Sequence, residues 1–144
     1  MRVGFVGLGV MGSAMVAHLA KGGHALTLYD LAPRVTARVA RRHKGARAAK
    51  SPRAVAEASD VVFTMLPDGP AVRDCALGED GLAKGLEPGA ILVDTSSAEP
   101  WITHEIAAEL ARQDVAMVDA PVSGPRRGRR AVRWCSCAAA RRRP

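Results

Sequence analysis

The feature that most constrains the fold lies in the first thirty residues, where a glycine-rich turn separates two apolar runs. The first run covers residues 3–6, and the second covers residues 25–29 and ends beside Asp30. Between them three glycines follow the G-x-G-x-x-G spacing: Gly7, Gly9 and Gly12. Apolar side chains then recur at the spacing of a helix with one buried stripe: Met11, Met15 and Leu19. This order of strand, turn, helix and strand predicts a β-α-β unit.

The spacing of the turn glycines indicates a dinucleotide site rather than an ordinary structural turn. Gly7 permits the tight turn, Gly9 lets a pyrophosphate approach the backbone, and Gly12 lets the helix pack against its strand. The start of the helix adds unpaired N–H groups and a partial positive charge, which stabilise an anion. Asp30 lies 23 residues after Gly7, where a carboxylate accepts hydrogen bonds from ribose hydroxyls.

Two side chains near the end of the second strand bear on the choice of cofactor. Arg34 could contact the 2′-phosphate of NADP, whereas Asp30 would repel that phosphate. We therefore expect NAD as the cofactor and keep NADP as the alternative.

Strands and helices alternate along the rest of the chain to residue 119. Beyond residue 30 we expect strands at 45–49, 60–67, 90–94 and 115–119, and helices at 33–42, 52–59, 71–77 and 100–112. Because the run at 60–67 is continuously apolar, it predicts a strand covered on both faces. The fold class is therefore α/β, a Rossmann-like doubly wound parallel sheet. Ligands bind beyond the carboxyl ends of such strands, so Leu66 and Pro67 should lie against the cofactor, and Ser97 either contacts it or caps the next helix.

The net charge of +7 belongs to the end of the chain. Residues 1–125 hold 13 Lys and Arg against 14 Asp and Glu, whereas residues 126–144 hold eight arginines and no acid. Few apolar side chains accompany these charges, so we expect residues 126–144 to be largely disordered, following a dinucleotide-binding domain at 1–124. Non-specific nucleic-acid binding by this tail is an alternative, which the lack of aromatic residues other than Trp134 disfavours.

The cysteines and the hydropathy of the chain suggest neither a metal site nor a membrane anchor. Cys75 lies in an expected helix and should be buried or half-buried. Cys135 and Cys137 are too close together for a good disulfide and have no neighbouring ligands for zinc. No run approaches the roughly 18 apolar residues of a membrane span, and the start of the chain does not read as a signal peptide. We therefore expect a cytoplasmic protein.

Four motifs carry a resemblance to a known family: Phe-Val-Gly-Leu-Gly-Val-Met-Gly-Ser-Ala-Met at 5–15, Thr-Met-Leu-Pro-Asp at 64–68, Asp-Thr-Ser-Ser at 94–97 and Asp-Ala-Pro-Val-Ser-Gly at 119–124. Residues 1–124 resemble the β-hydroxyacid dehydrogenases, which include 3-hydroxyisobutyrate dehydrogenase and tartronate semialdehyde reductase. The resemblance implies NAD(P)-dependent oxidation of a small 3-hydroxy acid, or reduction of the matching semialdehyde. It implies that Ser123 and Gly124 bind the substrate carboxylate. The cofactor contacts that it implies, together with Asp30, are Gly7, Leu8, Gly9, Val10, Met11, Gly12, Leu66, Pro67 and Ser97.

The resemblance stops after Gly124. The family has a second glycine there, followed by a strand and a helical domain with the catalytic lysine, whereas this chain continues with Pro125 and arginines, and its last lysine is Lys84. Hydride transfer at an alcohol carbon needs a general acid/base, so we assign no catalytic residue and expect no turnover by this chain alone. A reading-frame shift near Gly124 is our hypothesis for the tail. A non-catalytic dinucleotide-binding interaction module is the alternative function, and the oligomeric state stays open.

Overall fold

The structure is a computed structural model that describes residues 1–123, 135–136 and 139–140. Its strands are β1 Arg2–Val6, β2 Ala25–Tyr29, β3 Arg47–Ala48, β4 Val61–Thr64, β5 Ile91–Asp94, β6 Ala116–Asp119, β7 Val122–Ser123, β8 Cys135–Ser136 and β9 Ala139–Ala140. Its helices are α1 Val10–Lys21, α2 Pro33–Arg42, α3 Pro52–Glu57, α4 Gly69–Leu77 and α5 Pro100–Ala111, with a 3-10 turn at Leu82–Lys84. Each predicted strand and helix up to residue 119 is present, several of them shortened at the ends.

The first six strands confirm the expected parallel sheet. They lie in the order β3-β2-β1-β4-β5-β6, and each neighbouring pair is parallel. The winding direction reverses between β1 and β4, which are adjacent in the sheet although α1, β2, α2, β3 and α3 separate them in the chain. Such a reversal opens a crevice at the carboxyl ends of the two strands, where ligands of this fold class bind. At the far edge β9 pairs antiparallel with β6, and β7 pairs antiparallel with β8.

Two apolar cores cover the two faces of the sheet, because alternate side chains of a strand point in opposite directions. Phe5 lies in the core under α1 and α2, and its ring stacks on that of Phe63 with centroids 6.1 Å apart. Val6 lies in the core under α3, α4 and α5. Cys75 belongs to this second core and is buried, as expected.

The predicted stripe of α1 packs against the core under α1 and α2, but its large apolar side chains are not the most deeply buried residues of the helix. The fully buried residues of the helix are Gly12 and Val16, while Met15 and Leu19 are only partly buried beside them. The start of α1 lies so close to the turn before it that a glycine occupies the innermost position. The most deeply buried positions therefore lie one residue after Met11 and Met15.

Most of the arginine-rich tail lies outside the described residues. The predicted disorder of residues 126–144, the domain boundary after Gly124 and the reading-frame hypothesis stay predictions, with β8 and β9 as the only described segments there. In the part of the chain that the structure describes, no helix is long and apolar enough to cross a membrane.

Candidate functional site

The inner side of the glycine turn is closed against the sheet. Gly7 has a φ of +93°, in the region that favours glycine, and its N–H donates to the Tyr29 carbonyl at 3.0 Å. A Cβ at Gly7 would overlap the backbone carbonyl of Met65. A Cβ at Gly12 would overlap the carbonyl oxygen of Gly7. The first and third glycines are therefore required by packing within the protein itself.

The outer side of the turn is open and rich in hydrogen-bond donors. Gly9 is the N-cap residue of α1, no side chain caps the helix there, and a Cβ built on Gly9 meets no atom within 4 Å. The first hydrogen bond of the helix runs from the Ser13 N–H to the Gly9 carbonyl at 2.9 Å, so the N–H groups of Val10, Met11 and Gly12 have no partner within the helix. An open concave backbone with free donors and the positive end of a helix fits a pyrophosphate.

Asp30 connects the glycine turn to the start of α2. Its Oδ2 accepts a hydrogen bond from the Leu8 N–H at 2.8 Å, and its Oδ1 accepts one from the Ala32 N–H at 2.9 Å. The N–H of Asp30 donates to Thr36 Oγ1 at 2.9 Å. Since each carboxylate oxygen can accept a second hydrogen bond, Asp30 can hold the turn and still receive ribose hydroxyls. The N–H of the buried Leu8 already donates to Asp30, so this N–H shapes the turn and is not a free donor for a ligand.

The three other predicted cofactor residues follow β4 and β5 at the same end of the sheet. Leu66 is half-buried and Pro67 is exposed, directly beyond the strand that neighbours β1. Ser97 is exposed and does not cap α5, whose N-cap residue is Glu99 without a side-chain hydrogen bond. The capping alternative for Ser97 is therefore wrong, because α5 begins only at Pro100. The structure brings the turn, Asp30, Leu66, Pro67 and Ser97 to one edge.

A buried polar network that the sequence analysis did not find holds the ends of β4 and β5 together. Thr64 Oγ1 and the Ser96 N–H both donate to Asp94 Oδ1, at 2.7 and 3.0 Å. Ser96 Oγ accepts from the Leu66 N–H at 2.9 Å, and Thr95 Oγ1 donates to the Thr64 carbonyl at 2.6 Å. All four side chains are at most 4% exposed. The sequence did carry a signal for this network, because hydroxyl residues end or follow the apolar run of each of the two neighbouring strands.

The predicted substrate residues begin beside this network. The Val122 N–H donates to the Thr95 carbonyl at 3.4 Å, which places the backbone of β7, and so Ser123, near the end of β5. Gly124 lies outside the described residues. In β6, Asp119 is the register partner of Asp94. Burial raises the pKa of the Asp119 carboxyl, the nearby Asp94 raises it further, and His104 opposes the shift.

Comparisons with known proteins agree with this geometry. A family model described as the NAD binding domain of 6-phosphogluconate dehydrogenase matches residues 2–138. The 3-hydroxyisobutyrate dehydrogenase-like 2 protein of Arabidopsis thaliana is 45% identical over 129 residues, which are 90% of this chain and 42% of that protein. The 2-hydroxy-3-oxopropionate reductase of Escherichia coli is 38% identical over 130 residues, which are 90% of this chain and 44% of the reductase.

A solved structure gives the same result in three dimensions. The 3-hydroxyisobutyrate dehydrogenase of Mycobacterium tuberculosis, determined with L-serine, superimposes with a TM-score of 0.75 at 35% identity. The superposition covers 86% of this chain and 43% of that one. The chain thus spans about two fifths of the length of the relatives that it matches.

Proposed function

We propose a function that starts from the family of the chain. The chain belongs to the NAD-binding domain family of 6-phosphogluconate dehydrogenase and, within it, to the β-hydroxyacid dehydrogenases. It is the NAD(P)-binding domain of such a protein. The observation that carries the proposal for its residues is the start of α1, where uncapped N–H groups surround Gly9 and no atom of the described residues lies where a Cβ would be.

The predicted contacts follow from that observation. The pyrophosphate accepts hydrogen bonds from the N–H groups of Val10, Met11 and Gly12, and approaches the backbone over Gly9. Asp30 accepts hydrogen bonds from the adenosine ribose with the lone pairs that Leu8 and Ala32 leave free. The remaining cofactor contacts come from residues that follow β4 and β5: Leu66, Pro67 and Ser97.

NAD is the cofactor that the charges favour. A 2′-phosphate on the ribose would face the carboxylate of Asp30, which the Leu8 and Ala32 N–H groups hold in place. Arg34 is exposed and offers a compensating charge, but it is a long side chain whose ordering costs conformational entropy.

The reaction that we propose for the whole protein is the oxidation of a small 3-hydroxy acid, or the reverse reduction of a semialdehyde. NAD(P) supplies the hydride acceptor or donor when it is bound. The backbone of Ser123 and Gly124, with the Ser123 hydroxyl, binds the substrate carboxylate and orients its hydroxyl-bearing carbon toward the nicotinamide. We assign no general acid/base to this chain, so its own contribution is binding and orientation. A cytoplasmic location remains part of the proposal, which cell fractionation would check.

Titration of the chain with NADH, followed by the cofactor's fluorescence, tests the binding step. Saturable binding at one cofactor per chain is expected, and no binding at millimolar NADH would refute the proposal. The same preparation should not oxidise small 3-hydroxy acids. Turnover at an ordinary enzyme rate, about 1–1,000 s⁻¹, would show that this chain supplies its own acid/base.

A further inference from the structure

The charges of the described domain are segregated across the sheet. Residues 31–56 contain eight Lys and Arg and no Asp or Glu, whereas the rest of residues 1–123 contains five Lys and Arg and 14 Asp and Glu, a balance of 5 − 14 = −9. The basic segment forms α2, β3 and most of α3, and β3 is the edge strand of the sheet. One edge of the domain is therefore strongly positive and the remainder is negative.

Three arginines of α2 present their charge to solvent on one face of the helix. Arg34, Arg38 and Arg41 are exposed and line a shallow groove of about 550 Å³. Thr36 and Val39 are buried on the opposite face. We call the three side chains the arginine face. Like charges at this spacing repel one another, so interactions among these three side chains do not stabilise the helix.

The side chains of the arginine face have no ion-pair partner, in contrast to four arginines outside it: Arg2, Arg53, Arg73 and Arg112. Among the described residues, none of its three members forms an ion pair, whereas Arg73 pairs with Glu105 at 2.8 Å and Arg112 with Glu109 at 2.6 Å. Residues 124–144 contain no Asp or Glu that could supply one. The positive charge of the arginine face is therefore not neutralised by an ion pair with any described residue.

Beyond Arg34, the arginine face lies next to the proposed cofactor site without being part of it. α2 begins at Pro33, three residues after Asp30, and runs away from the carboxyl edge of the sheet. With a rise of 1.5 Å per residue, Arg38 and Arg41 lie about 6 and 10 Å farther along the helix than Arg34. A field of this kind raises the local concentration of an oppositely charged ligand and its association rate.

We propose that the arginine face is an electrostatic capture surface that speeds the arrival of the anionic dinucleotide at the start of α1. The inference rests on the proposed function, because cofactor binding is the event that it accelerates. Arg38 and Arg41 attract the approaching pyrophosphate and do not touch the bound cofactor. They therefore increase the association rate constant and leave the dissociation rate constant unchanged.

Stopped-flow binding of NADH to the full chain tests this surface. The variant is R38Q/R41Q, and the matched control is R2Q/R112Q, which removes the same number of charges at the start of β1 and the end of α5, the edge of the sheet opposite the proposed site. For an assumed separation of about 15 Å between these charges and the pyrophosphate, Coulomb's law in water with Debye screening gives about threefold slower association for R38Q/R41Q at 10 mM ionic strength and less than about 1.2-fold at 0.5 M. The control should slow association less than R38Q/R41Q does. The charge reversal R38E/R41E should slow association by about ninefold at 10 mM.

The rate constants separate this inference from the proposed function. Slower association that salt abolishes, with unchanged dissociation, supports the capture surface. Faster dissociation of R38Q/R41Q at 0.5 M salt would mean that the arginines hold the bound cofactor, and equal slowing in the control would mean that only net charge matters; either overturns the inference. Unchanged association with intact NADH binding overturns the capture surface alone, whereas a wild-type chain that binds no NADH overturns both proposals.

Discussion

The same substitution at two glycines three residues apart should have opposite consequences. Gly9→Ala adds a methyl group where no described atom lies within 4 Å, at a residue with a φ of −62° that any side chain tolerates. Gly12→Ala adds the same methyl group against the carbonyl oxygen of Gly7. We expect Gly9→Ala to impair cofactor binding in a stable protein, and Gly12→Ala to destabilise the fold.

The expected magnitudes follow from these surroundings. At Gly9, the alanine restricts the unfolded chain, which stabilises by about 0.4–1 kcal/mol, and it is a poorer N-cap by a similar amount, so the free energy of unfolding should change little. Displacing the pyrophosphate from one charge-assisted hydrogen bond costs about 1.5–3 kcal/mol, or roughly 10- to 150-fold in Kd. At Gly12, the overlap with backbone cannot be relieved by a side-chain rotation, and overpacking of this kind costs about 1–3 kcal/mol.

Two measurements on each variant test the reasoning. Urea denaturation gives the free energy of unfolding, and NADH titration gives Kd under conditions in which the variant is folded. A Gly9→Ala protein with wild-type affinity for NADH would contradict the assignment of the open turn to the pyrophosphate. A Gly12→Ala protein of wild-type stability would contradict the close packing of the turn against α1.

Three further substitutions test the surroundings of the site. Asp30→Ala should relax the preference for NAD, and an unchanged ratio of the Kd values for NADH and NADPH would show that Asp30 does not discriminate. Ser96→Ala leaves the Leu66 N–H without its acceptor and should cost about 1 kcal/mol in urea denaturation; wild-type stability would mean that another group satisfies this N–H. Folding raises the pKa of the Asp119 carboxyl, so the folded state favours its protonated form. The stability that this preference contributes is fully present below the unfolded pKa of about 3.9, and it is lost as pH rises through the folded pKa and the carboxyl ionises. Asp119→Asn should therefore stabilise the protein more at pH 7 than at pH 4 in urea denaturation, and an equal difference from wild type at both pH values would refute the assignment.

The elements that the sequence predicted correctly are those that local pattern determines. The glycine spacing and the two apolar runs around it locate β1, α1 and β2, because one turn and one helix connect them. The continuous apolar run at 60–67 identified β4 as a strand inside a parallel sheet, and the pairing of β4 with β1 and β5 confirms this. Asp68, directly after that run, caps α4 by accepting a hydrogen bond from the Ala71 N–H at 2.9 Å.

The details that the sequence did not reveal depend on which strands become neighbours. The bond from Leu66 to Ser96 and that from Thr64 to Asp94 each join residues 30 positions apart, so no local pattern indicates them. For the same reason the sequence pointed to Ser97 as a cofactor contact or a cap and overlooked Ser96, whose hydroxyl positions the backbone at Leu66. Recognising the arginine face required both the helix geometry and the finding that its side chains pair with no carboxylate of the described residues.

The buried polar groups at the carboxyl edge serve to position backbone rather than to react. Burial, with a further contribution from Asp94, raises the pKa of the Cys75 thiol to about 12, so this thiol is protonated at neutral pH and is not a nucleophile. Asp94 is 0% exposed, and a bound cofactor cannot reach it without moving the ends of β4 and β5. The accessible groups of the proposed cofactor site are the N–H donors of the turn, the free lone pairs of Asp30, and the exposed Pro67 and Ser97. These groups are suited to hold and orient a ligand, which is the contribution that we propose for the described domain.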